Sequence, residues 1–227
     1  LEKNFKDKKI LIEKPLFHKS NNLIFKRNNI FINYNLRFNP YIQKLKKFLD
    51  KKFIYDIKLI TNSYLPNWRK NISYKKNYSV DKSKGGGVIL DLSHDIDIIM
   101  SLFNKVSINY VSFGRKSNLT KNSEDFLYLN ARSNKVNISL DINYYSRNEL
   151  RLIFVDGRNF SLNLDLKNNI FKLCVNNKIY KITKKYSQDF TFLKTHEAII
   201  SGKNSKLLCK IEDGKKVLRF IEDIKNN

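Results

Sequence analysis

"ELRLIFVDGRNFSLNLDLKNNIFKLCVNNKIYKIT", residues 149–183, decides how this chain folds. Four apolar runs of strand length, "ELRLIFVD", "RNFSLNLDL", "NIFKLCV" and "KIYKIT", follow one another with turn residues between them. Asp156-Gly157 and Asn176-Asn177 are the clearest tight-turn pairs, because glycine and asparagine accept the positive φ angles that hairpin turns require. The same texture extends upstream through "SINYVSFGR" (107–115), "DFLYLNAR" (125–132) and "KVNISLDINYY" (135–145). Residues 106–183 are therefore read as successive strands of one antiparallel sheet.

Outside this block the pattern changes. "QDFTFLKTHEAIISG" (188–202) predicts a helix ending near Gly202, and "DGKKVLRFIEDIKNN" (213–227) a second one beginning near Asp213. Upstream, "KKILIEKP" (8–15) reads as a short strand ending at a proline, and "IFINYNLRF" (30–38) as another. In "NPYIQKLKKFLDKK" (39–52) the Asn39-Pro40 start and the spacing of Ile42, Leu45, Phe48 and Leu49 predict an amphipathic helix. "FIYDIKLITNSY" (53–64) returns to strand composition. "GGGVILDLSHDIDIIMSLF" (85–103) is a glycine-rich turn followed by a helix. Strands gathered in one block and helices elsewhere define an α+β fold with a large, mainly antiparallel open sheet and flanking helices.

The 227 residues, 41% hydrophobic and 13% aromatic, supply an ample core. No stretch approaches the ~18 apolar residues that a membrane span needs, and "LEKNFKDKK" has no signal-peptide character. Cys174 and Cys209 are far apart and in no metal-ligand spacing, so no metal site is expected. A cytoplasmic protein without a membrane partner is the expectation. The formal charge of +23 suggests nucleic acid at first sight, but the lysines are dispersed along the chain with no basic helix or arginine-rich tract. No specific nucleic-acid partner is expected.

Chemistry concentrates in two places. In "GGGVILDLSHDID" the glycines let backbone approach a ligand and leave free N–H groups at a helix start. Asp91 and His94, three residues apart, share a helical face and predict an oriented carboxylate–imidazole pair able to take a proton near neutral pH. A lone histidine near apolar helix positions is also commonly a structural residue. The second place is "EKP": Glu13, Lys14 and Pro15, directly after a core strand.

In order, "EKP" after a strand, "NYNLRFNP", "GGGVILDLSHDID", the long sheet and the closing "EDGKKVLRFIEDI" resemble the glucose-fructose oxidoreductase and inositol dehydrogenase (Gfo/Idh/MocA) family over nearly the whole chain. The resemblance implies that residues 1–36 are the end of a Rossmann-type dinucleotide-binding domain. Residues 37–227 are then a substrate and dimerisation domain, with the last helix packing back on the nucleotide domain. It implies NAD or NADP as cofactor, a sugar or sugar-nucleotide substrate, and a homo-oligomer formed through the sheet. Lys14, His94 and Asp91 are the implied catalytic residues; Glu13, Lys14 and Pro15 lie at the nicotinamide, and the Lys14-Pro15 bond is implied to be cis. Asn35, Arg37, Tyr64, Trp68 and Arg69 are candidate substrate contacts, Arg37 being equally readable as an ion-pair residue supporting the cleft.

Three features depart from the family pattern. Many relatives place the histidine four residues after the aspartate rather than three, the connection between Pro15 and "IFINYNLRF" is too short for the full-length helix usual there, and the G-x-G-x-x-G turn that holds a dinucleotide pyrophosphate is not in this sequence. The expectation is therefore the C-terminal part of an NAD(P)-dependent sugar oxidoreductase, inactive in this form and active in the full-length enzyme, serving surface glycan or glycosylation-sugar synthesis. The alternative is a truncated, non-catalytic dimerisation or regulatory module of the same fold.

Overall fold

The computed structural model describes residues 4–18, 25–69, 72–187 and 189–227. The elements begin with β1 (Lys9–Ile12), β2 (Asn29–Ile32), α1 (Pro40–Leu49), β3 (Ile54–Tyr64), α2 (Val88–Asp91) and α3 (Ser93–Leu102). Strands β4 (Ser107–Gly114), β5 (Phe126–Ser133), β6 (Val136–Asn143), β7 (Tyr145–Gly157), β8 (Phe160–Asp165), β9 (Ile170–Val175) and β10 (Lys178–Thr183) follow. The chain closes with α4 (Phe190–Ser201), β11 (Cys209–Lys210) and α5 (Ile211–Asn226). No helix among the described residues is long and apolar enough to cross a membrane.

The seven strands read in residues 106–183 all form, and an eighth joins them. The sheet order is β10-β9-β8-β7-β3-β6-β5-β4, with β3 parallel to β6 and antiparallel to β7. Every other neighbour pair is antiparallel. Strands β6 and β7, consecutive in sequence, are thus split by a strand laid down before the glycine turn. Tyr144 bridges them, accepting from Leu65 N where β3 ends and donating its own N–H to Asp125 O. Period-2 alternation puts Ile57 and Leu59, Leu129 and Ala131, Ile138 and Leu140, and Ile153 and Val155 on one buried face. Each such buried Ile or Leu contributes about 1.5–3 kcal/mol. The opposite face carries Lys58, Tyr128, Asn130 and Asp156 and is half-open.

A second sheet, β1-β2-β11, lies beside the first: β1 and β2 are parallel and β11 is antiparallel to β2. Helix α5 packs on β2, β11 and α3, so close that a Cβ on Gly214 would stand 2.7 Å from Ile32. One contiguous core runs through both sheets and the helices between them.

Three sequence readings change. The strand read over 30–38 stops at Ile32, because β1 ends at Ile12 and Asn33 N makes the last bond to it; Asn35–Phe38 is a single helical turn. The turn read at Asp156-Gly157 falls instead at Arg158-Asn159, with Asn159 at φ 64°. Gly157 belongs to β7, where any Cβ would meet the Phe160 ring at 2.2 Å and Phe53 O at 2.5 Å. Asn176 and Asn177 do form their turn, both at positive φ. The helix read after the triple glycine is two helices, broken at Leu92.

Candidate active site

Strand β1 delivers the chain to Glu13, Lys14 and Pro15 at its carboxyl end, and the Lys14-Pro15 peptide bond is cis. Lys14 Nζ donates to the carbonyl of Asp91, the last residue of α2. Glu13 is exposed and accepts from Asn33 Nδ2 at 2.7 Å. The triple glycine sets where α2 starts. Gly87, at φ 127°, leaves no room for a Cβ against the Glu124 carboxylate, and Glu124 O takes the first helical N–H, that of Val88. These glycines therefore serve close packing within the protein.

The carboxylate–imidazole pair expected from the spacing is not hydrogen bonded. The break at Leu92 puts Asp91 and His94 on different helices, and Asp91 Oδ2 accepts from Tyr144 Oη at 2.5 Å instead. Tyr144 is fully buried, with Trp68 edge-on at 5.2 Å between ring centroids. Burial and the Asp91 carboxylate hold its hydroxyl well above the usual tyrosine range, so it stays a donor. His94 opens α3, its ring edge-on to Tyr34 at 5.5 Å, and its Nδ1 is buried without a partner, as is Asp91 Oδ1.

The electrostatics tie these groups together. Burial lowers the Lys14 ammonium below the ordinary lysine value, Arg151 adding to it while Asp91, Glu13 and Asp95 oppose. Burial also drives His94 well below the usual histidine value, and the charges of Lys14 and Arg151 push the same way. His94 is therefore neutral at neutral pH, a proton acceptor beside a cation.

Arg151 and Tyr144 escaped the sequence reading. Arg151 Nη2 pairs with the buried Asp95 carboxylate at 3.0 Å, and Nε reaches Thr61 Oγ1 at 3.4 Å. Thr61 and Arg151 are directly opposite in the β3–β7 register and on the buried face. A signal existed: in "ELRLIFVD" Arg151 sits in phase with Ile153 and Val155, an arginine on the core side of a strand.

A cleft of about 770 Å³ opens along this side, walled by Thr61, Trp68, Arg69, Leu92, Arg151 and Thr191 among others. Arg151 belongs both to this wall and to the charged cluster around Lys14 and His94, which themselves do not line it. Of the candidate contacts, Trp68 and Arg69 line the cleft. Asn35 is buried and donates to Thr191 Oγ1 at 2.9 Å, one residue behind the wall. Tyr64 accepts from Arg147 Nη2 at 3.2 Å and is not in the wall. The Arg37 guanidinium is committed to Asp97 (2.6 Å) and Asp213 (3.1 Å), joining α3 to α5.

The His94 environment has a measurable consequence. Its proton is bound more weakly in the folded chain, so its share of stability is complete above the unfolded pKa of about 6.5 and is lost as pH falls below it toward the lowered folded value. Wild type should lose stability on going from about pH 7 to pH 5, with a His94 slope of at most about 1.4 kcal/mol per pH unit. In His94→Gln that part of the slope should vanish. Melting temperatures across this range check it, and parallel profiles would contradict a neutral buried imidazole.

A parallel strand pair with a lysine–proline turn, set against a large open sheet with a histidine helix between, is an arrangement shared with other solved structures. Solved structures of this fold include levoglucosan dehydrogenase in complex with NADH and levoglucosan. It superposes with a TM-score of 0.77 over 95% of this chain and 70% of that one, at 12% identity. UDP-N-acetylglucosamine 3-dehydrogenase from Acidithiobacillus ferrooxidans gives 0.66, covering 86% of this chain and 60% of that one at 16% identity. A 3-ketoreductase from Actinomadura kijaniata, in a complex with NADP, gives 0.67, covering 88% and 62% at 11% identity. No family model and no curated protein sequence matches the chain. The chain spans about 60% of the length of the first such structures.

Proposed function

We propose that this chain is the larger part of a nicotinamide-dependent oxidoreductase of the Gfo/Idh/MocA kind, moving hydride between the cofactor and a hydroxyl or keto group of a sugar or sugar nucleotide. In this reading residues 1–36 end the dinucleotide domain and residues 37–227 form the substrate domain, with α5 returning to β2 and β11. The observation that carries the proposal is the meeting of Lys14, Asp91 and His94, drawn from two distant segments, beside a cleft in a fold shared with sugar dehydrogenases.

The residues present fit the nicotinamide end of such a cofactor. Glu13, Lys14 and Pro15 stand at the carboxyl end of a parallel strand pair, the edge where doubly wound folds bind ligands. His94 Nδ1 and Asp91 Oδ1, both buried without partners, leave hydrogen-bonding capacity beside them. Bound there, the nicotinamide would exchange hydride with the carbinol carbon. The neutral His94 imidazole accepts the proton leaving the substrate hydroxyl. The Lys14 ammonium, anchored on the Asp91 carbonyl, steadies negative charge growing on that oxygen. Tyr144 fixes Asp91, and Arg151 and Arg69 border the space for the rest of the sugar.

The half-open outer face of the sheet, with the exposed Tyr128 of β5 and Ile179 of β10, supports a subunit contact there. The complete natural gene product, mixed with NADH or NADPH and a panel of sugar nucleotides and free sugars, tests the enzyme reading. Thermal stabilisation by one cofactor and substrate-dependent change in reduced-nicotinamide absorbance are expected. A complete protein that binds neither cofactor would overturn it and favour a non-catalytic module.

A further inference from the structure

A second concavity, of about 830 Å³, lies away from the Lys14–His94 cluster and shares no lining residue with the cleft described above. It is walled by the outer side of α1, the end of α3 and the turn before β11. Gln43, Lys46, Lys47 and Asp50 follow at i, i+3, i+4 and i+7, one face of α1 and its C-cap, while Tyr41, Ile42, Leu45 and Leu49 take the core side. Lys44, Lys51 and Lys206 complete a ring of five lysines, against Asp50 as the lone carboxylate of the lining.

None of these five lysines makes an ion pair among the described residues, whereas six lysines elsewhere do. The C-terminal ends of α1 and α3 both point here, and lysines are favoured at such ends. Each end supplies only about half a negative charge, and the Arg37–Asp97–Asp213 cluster behind Lys46 adds one more, so with Asp50 included a surplus of about two positive charges stays unmatched around the cavity. Lys46 is half-buried, and burial together with Arg37 lowers its affinity for its proton although Asp97 and Asp213 oppose this, a cost that a bound anion reduces further. Leu49, Ile54, Leu102 and Phe103 give the concavity an apolar floor. Its volume is that of a small-molecule pocket, too small for a polymer to fill.

We propose that this lysine-ringed concavity binds a small molecule carrying a diphosphate group, either inorganic pyrophosphate or a nucleoside diphosphate. Several ammonium groups around one cavity match a polyanion's spread charge, and the apolar floor accommodates the ring of a nucleoside. The site is independent of the proposed hydride chemistry and does not rest on it.

Isothermal titration of this chain with ADP, UDP and pyrophosphate in about 0.15 M salt, where surface charges more than about 8 Å apart are screened, tests the proposal. Saturable binding of one molecule per chain is expected. Lys46→Gln/Lys47→Gln, which keeps helix propensity, should weaken it at least tenfold. Lys178→Gln/Lys181→Gln on the exposed edge strand β10 removes the same charge and should leave it unchanged. Tighter binding of the nucleotides identifies a nucleoside diphosphate as the ligand, and equal or tighter binding of pyrophosphate identifies the inorganic ion. No saturable binding, or equal weakening by the two double variants at unchanged melting temperature, overturns the site.

Discussion

Under the proposed function, Lys14→Ala should lower turnover of the complete protein by roughly 10²–10⁴-fold, the range for losing one positioned acid–base or charge-stabilising group. The geometry that supports this is the turn after β1, which brings Nζ to the Asp91 carbonyl, with Lys14 acting electrostatically on the neutral His94. Stability should change little, since burial already disfavours the ammonium and the Asp91 carboxylate keeps its hydrogen bond from Tyr144. The loss should fall on kcat more than on KM, because the interaction strengthens as charge develops on the substrate oxygen. Steady-state kinetics with melting curves check this. Turnover within threefold of wild type, at full folding, would remove Lys14 from the chemistry.

Arg37→Ala is expected to act through stability instead. Asp97 is 1% exposed and Arg37 is its cation, with Asp213 as a further anchor on α5. Burial raises the Asp97 carboxyl above the usual range, while the hydrogen bonds from Arg37 pull it down. Although burial alone would weaken Arg37's hold on its proton, the bonds to Asp97 raise it above its ordinary value, so the pair is ionised. Removing one partner strands the other, at a cost of about 3–5 kcal/mol. At about 2–4 °C per kcal/mol for a chain of this size, the melting temperature should drop by roughly 6–20 °C. Arg37→Met/Asp97→Leu should recover most of that, as hydrophobic replacement of a buried pair often does. A stable Arg37→Ala with raised KM would instead make Arg37 a substrate contact.

Much of the sheet was legible because its strands are short apolar runs broken by Asn and Gly. The helix over 40–49 was legible because Asn39, whose side chain accepts from Tyr41 N and Ile42 N, precedes Pro40 and a 3.6-residue stripe. The Lys14 and His94 positions came from motif order. What failed is informative: "IFINYNLRF" has strand composition throughout, yet only Asn29–Ile32 has a partner strand to pair with. Asp91 and His94 have helical spacing, yet Leu92 interrupts the helix between them.

The sequence by itself determined which segments bury a face and several of the turns, since these follow from local periodicity and backbone preference, and it nominated Lys14 and His94 as candidates by residue type and motif order. Only the tertiary structure decided that β3 lies between β6 and β7, that Cys209–Lys210 completes the sheet begun by β1 and β2, and that Tyr144, not His94, holds Asp91. Those outcomes depend on contacts between residues 53 to nearly 180 positions apart. An apolar alternation states that a face must be covered without stating by what, so pairing is settled by the combined burial and hydrogen bonding of the whole fold.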